Sequence, residues 1–94
     1  MNKKNGNKIA VAIQYNIDKK EAPFVIAKGK GIVAEKIIEK GFEEGVHIVE
    51  DQLLADSLVN LEILEEIPEE LYTAVAEILS FIYNLDKERD NYYE

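Results

Sequence analysis

Between residues 65 and 83 the chain reads EEIPEELYTAVAEILSFIY, and this stretch constrains the fold most. Pro68 suits a first helical turn, where its missing N–H costs nothing. Glu69 and Glu70 then sit at the positive end of the helix dipole. Apolar residues recur at Leu71, Tyr72, Val75, Ile78, Leu79 and Ile82, which predicts a helix with one apolar stripe. Such a helix is stable in water only if its stripe is covered. The rest of the chain must supply the covering surface.

Three short apolar runs upstream can do so. Lys8–Tyr15 alternates Ile9, Val11, Ile13 and Tyr15 with Ala10, Ala12 and Gln14. Large apolar side chains opposite small ones predict a strand covered on both faces. Pro23 opens a second strand, Phe24–Ala27, where a missing donor does least harm. Gly29-Lys30-Gly31 breaks that strand, and a helix follows from Ile32 to Phe42 with Glu35, Lys36, Glu39 and Lys40 outward. Val46–Val49 reads as a third strand. Strand, helix and strand make a crossover unit, so the second and third strands are expected to run parallel. Asp51 can cap a short helix, Gln52–Leu58. The expected fold is α/β: a small mixed sheet of about three strands with about three helices around it. Residues 1–7 form a polar arm, 8–85 the single domain and 86–94 a polar tail.

Composition narrows the function classes. A chain of 94 residues, 47% hydrophobic, holds one modest core. With no cysteine, disulfides and thiolate metal sites are excluded. No apolar run approaches the roughly 20 residues of a membrane helix, and no apolar segment follows the lysines of MNKKNGNK, so a soluble, cytoplasmic protein is expected. A net charge of −8 opposes nucleic acid and anionic membrane surfaces.

Catalytic groups are scarce. His47 is the single histidine, and one histidine without partners makes no metal site. Gly29-Lys30-Gly31 lacks the remaining positions of a phosphate loop, because Ile32 and Val33 open the helix. Glu43-Glu44 and Glu65-Glu66 with Glu69-Glu70 fall in turns and at helix ends, where carboxylates stay solvated. Ser57, Thr73 and Ser80 have no base beside them. The reading is a binding protein, not an enzyme, with neither cofactor nor metal.

Four stretches taken together, AVAIQY (10–15), APFVIAKGKG (22–31), the V-x-I-V-E run (46–50) and EEIPEELYTAVAEILSFIY (65–83), resemble the cytoplasmic domain of the flagellar export-gate protein FlhB and its type III secretion relatives. The likeness runs from Asn5 to Leu85. Family members carry membrane helices ahead of this domain, and a strand ahead of their cleavage loop; this chain starts at Met1 without them, as a stand-alone version of the domain would. In the family an Asn-Pro-Thr-His loop cleaves itself: the Asn side-chain amide attacks its own carbonyl and breaks the Asn-Pro bond, proline having no N–H to compete. Here the loop stands as Asn5-Gly6-Asn7-Lys8. The N–H of Gly6 is free to attack instead, so deamidation is expected to replace cleavage.

The resemblance further implies a module that docks an apolar segment near the N-terminus of rod- and hook-type export substrates and works beside export-gate membrane proteins. The family's docking patch maps onto Ala22, Pro23, Ala76 and Leu79. Its Pro-Pro-Leu-Ala-Arg block survives only as Gln52-Leu53-Leu54-Ala55-Asp56, with the charge reversed at Asp56. The alternative is a small cytoplasmic domain that has lost export function and binds an unrelated protein.

Overall fold

A computed structural model describes residues 8–16 and 22–92, with backbone alone beyond Tyr83. Strands β1 (Ile9–Gln14) and β2 (Phe24–Lys30) form an antiparallel two-stranded sheet, followed by helices α1 (Ile32–Glu43), α2 (Gln52–Leu58) and α3 (Glu69–Tyr92). The α/β class and the three helices agree with the sequence. The third strand does not. Val46–Glu50 is irregular and exposed, so the expected parallel crossover is absent and the sheet of described residues is antiparallel. Val46–Val49 has strand-forming side chains but pairs with no strand among the described residues. α3 also runs on through Tyr92, into the stretch read as a tail.

The two faces of β1 divide the fold. Val11 and Ile13 pack against a core of Val25, Leu58, Leu61, Ile67 and Val75, which β2, α2, the α2–α3 connection and α3 contribute. Val25 at its centre has no exposed surface. On the other face Ala10 is buried, and α1, which lies against both strands, brings Ala34 in fully buried. Small side chains buried on both the strand and the helix allow the two to approach closely. A bulge between Ala12 and Ile13 shifts the register, so that Ala12 faces Ala27 and Ile13 faces Val25.

Gly29 and Lys30 belong to β2, and the turn is confined to Gly31. Gly31 has φ 60° and ψ −125°, a combination open essentially to glycine. Gly29 has a packing reason instead, since a Cβ there would collide with the Val33 side chain. The side chain of Asp51 accepts a 3.1 Å hydrogen bond from the Leu54 N–H, capping α2 as expected. The Lys28 ammonium donates to the Val59 carbonyl at 3.1 Å and ties β2 to the end of α2.

The connection from α2 to α3 was the least legible part of the sequence. Glu62, Glu65 and Glu66 are exposed, yet the backbone carrying them runs along the outer edge of β2. Val25 N–H donates to Glu65 O at 3.0 Å, Leu64 N–H to Val25 O at 2.6 Å and Ile67 N–H to Pro23 O at 2.9 Å. Leu64 takes φ 75° to make this turn while its side chain stays exposed. A bulky residue in the left-handed region costs about 1 kcal/mol. Leu64→Asn therefore raises the melting temperature by roughly 4 °C, because asparagine tolerates this conformation and no buried contact is lost. Thermal unfolding of the two chains checks it.

Candidate docking surface

The four patch residues sit in two places with unequal surroundings. Ala22 and Pro23 lie just ahead of β2, half-buried and buried. The hydrogen bond from Ile67 to the Pro23 carbonyl fastens this pair to the residues leading into α3. Ala76 and Leu79 lie on α3, three residues apart and so on neighbouring positions of the helix surface. Leu79 is partly buried and packs against the core. Ala76 instead borders a shallow, open groove together with Tyr72, Thr73, Glu77, Ser80 and Phe81.

That groove follows from helix geometry. Tyr72, Ala76 and Ser80 form one row at i, i+4 and i+8, and Thr73, Glu77 and Phe81 form the next. A small residue stands in the middle of the first row, with a large aromatic at one end of each row. The floor, made of Thr73, Ala76, Glu77 and Ser80, is therefore low, and the flanking walls are rings. Tyr72 is 42% exposed and Phe81 61%. The helical period puts Tyr72 with the apolar stripe, and the structure leaves it at the stripe's exposed margin. The phase of Phe81, off the stripe of Val75, Ile78 and Ile82, marks it as an outward aromatic.

Of the degenerate cleavage segment, Asn5, Gly6 and Asn7 lie outside the described residues. Lys8 is exposed, and its carbonyl accepts a 2.8 Å hydrogen bond from Gly31 N–H. Glu43, Glu44, Glu65, Glu66, Glu69 and Glu70 are all exposed. Ser57 is exposed and donates to the Leu53 carbonyl at 3.3 Å, a local helix contact. His47 is exposed in the irregular segment after α1. Among the described residues no group of three or more His, Asp or Glu side chains is placed to hold a metal, and no helix is long and apolar enough to cross a membrane.

A profile of the FlhB HrpN YscU SpaS family matches residues 4–82. The chain belongs to that family. It is 49% identical over 82 residues to YlqH of Bacillus subtilis (strain 168), covering 87% of this chain and 88% of that protein. It is 43% identical over 86 residues to the flagellar biosynthetic protein FlhB of Escherichia coli (strain K12), covering 90% of this chain but 22% of FlhB. The chain thus spans about a fifth of the FlhB relatives it matches, and most of YlqH. The solved cytoplasmic domain of FlhB from Shewanella putrefaciens superposes with a TM-score of 0.74 at 41% identity, covering 80% of this chain and 61% of that one. The native SpaS C-terminal domain superposes with a TM-score of 0.81 at 17% identity, which speaks for the fold.

Proposed function

We propose that this member of the export family is a non-enzymatic protein-binding module of flagellar or type III protein export. It works in the cytoplasm without a cofactor. Apolar N-terminal segments of rod- and hook-type substrates dock on it, and it stands in for, or joins, the cytoplasmic domain of a membrane FlhB. The observation that carries this reading is the exposed, ring-walled groove on α3 beside Ala76. An apolar peptide laid there buries Tyr72 and Phe81, which otherwise face water. Ala22, half-buried just ahead of β2, gives a second contact apart from the groove. Pro23 and Leu79, both held by the fold, act as fixed supports, while Ala76 and the two aromatics make the contact.

The test is a titration of the chain with N-terminal peptides of rod- and hook-type subunits, followed by amide NMR. Shifts clustered on Ala22, Tyr72, Ala76 and Phe81 are expected. A silent titration with the chain folded overturns the docking reading and favours a domain that has lost export function.

The segment Asn5-Gly6-Asn7-Lys8 is read as inactive in self-cleavage. Intact mass of fresh protein is expected to show one full-length species that slowly gains the mass of deamidation. A fragment beginning at Gly6 overturns this.

A further inference from the structure

Two pairs of large apolar side chains face water at opposite ends of β2. At its start, residues 64–66 lie beside Phe24 and Val25, and Ile63 is 48% and Leu64 69% exposed. At its end the chain turns at Gly31, and Ile32 and Val33 follow, 67% and 53% exposed. The strand between Val25 and Lys30 spans about 17 Å. Neither pair belongs to the core cluster or borders the groove on α3.

Both pairs are held in place. Val33 lies over Gly29, where a Cβ would collide with it. Leu64 is fixed by its N–H bond to Val25 O and by φ 75°, a conformation disfavoured for a bulky side chain. Burial of the leucine does not offset that strain, because the side chain is exposed. Strain kept for an exposed side chain points to a use outside the molecule. The charges around the two pairs are opposite. Glu62, Glu65 and Glu66 surround Ile63 and Leu64, all exposed. Around Ile32 and Val33 stand exposed Lys8, whose carbonyl accepts from Gly31 N–H, exposed Lys30, and exposed Lys36, one helical turn beyond Ile32. Glu35 at that end is half-buried, and Lys28, nearer the other end, is engaged by the Val59 carbonyl. Among the described residues none of these six exposed charges is in an ion pair; the pair formed is Lys40 with Glu44. Residues 1–40 hold nine of the eleven basic side chains and four of the nineteen acidic ones, so the chain is polar in charge although its sum is −8.

We infer that the two ends are complementary halves of one contact, and that the occupant of each is a second copy of this chain. Ile63 and Leu64 of one copy pack on Ile32 and Val33 of the next, with Glu62, Glu65 and Glu66 set against Lys8, Lys30 and Lys36. Charge selects the occupant and its orientation: unlike ends attract, like ends repel, and copies join head to tail. The net charge opposes association at long range, but it is screened beyond about 8 Å at physiological salt, and the facing side chains are closer than that. The contact is heterologous, with a different patch used on each copy. Four apolar side chains make it small, in the weak class below about 1,200 Å². It goes beyond the proposed function and uses no residue of the groove on α3.

The experiment is sedimentation of the full chain over a range of concentrations. The average mass is expected to rise with concentration at physiological salt. Salt at 1 M, where screening acts within about 3 Å, weakens association roughly tenfold. Glu62→Lys with Glu66→Lys reverses one rim and keeps the Glu65 carboxylate on the residue 62 N–H. Lys30→Glu with Lys36→Glu reverses the other. Each double variant alone associates roughly tenfold more weakly, and an equimolar mixture of the two regains the original strength, since each reversed rim then meets its opposite. Leu64→Asn weakens association while raising the melting temperature, a pairing that a merely structural leucine would not give. Ala76→Glu leaves association unchanged. Thermal unfolding verifies that each variant is folded. The inference is overturned if the chain stays monomeric at every concentration, if either reversed variant associates as the original chain does, or if the mixture stays apart.

Discussion

Leu79→Glu lowers the melting temperature by roughly 15–20 °C and destabilises the chain by about 3 kcal/mol. The side chain packs against the cluster of Val25, Leu58, Leu61, Ile67 and Val75. A carboxylate there loses the apolar contact and must leave water without a partner. A domain of this size has on the order of 5–14 kcal/mol of stability, so the loss is a large share of the whole. The measurement is thermal unfolding by circular dichroism, with amide NMR of the same sample. If Leu79→Glu keeps its melting temperature, Leu79 is a surface contact and its assignment as a core support fails. Any loss of peptide binding in this variant is a loss of fold, and it carries no information on docking.

Ala76→Glu separates the two effects. Ala76 borders the groove between the aromatic walls of Tyr72 and Phe81 and is not part of the core cluster. A glutamate there fills the floor and, beside Glu77, doubles the negative charge that an apolar peptide must cover. Binding of rod- and hook-type N-terminal peptides is expected to weaken at least tenfold, about 1.4 kcal/mol, with the melting temperature nearly unchanged. Phe81→Ala, at an exposed position, weakens binding in the same direction by removing a wall. Isothermal titration of the three chains is the check. Equal affinities with and without these changes place docking elsewhere.

Much of the fold was legible because local signals agreed with one another. Gln52–Leu58 was read from its Asp51 cap, and the structure has the helix at those residues with the capping bond made. β1 was read as covered on both faces, and the alanine face meets α1 while the valine-isoleucine face meets the core. Val46–Val49 misled for a physical reason. β-propensity describes how a side chain suits a pleated surface, and it cannot say whether a neighbouring strand is there to make the pleat. The pairing of residues 64–67 with β2 was hidden for the opposite reason. Its bonds are all backbone, and its two glutamates, Glu65 and Glu66, report only solvent. On α3 the helix is plain from its period, but hydrophobicity alone does not say which large apolar residues face the core. Tyr72 and Phe81 show that phase, rather than hydrophobicity, separates the stripe from the groove.

The strap of residues 64–67 over β2 has a consequence for association. Endless stacking of sheets edge to edge needs every unit to offer two free rims, one to give and one to receive. This molecule caps the start of one rim, Pro23 to Val25, with its own backbone. A second sheet approaching there meets a ladder already made where pairing would begin, which opposes stacking through that rim.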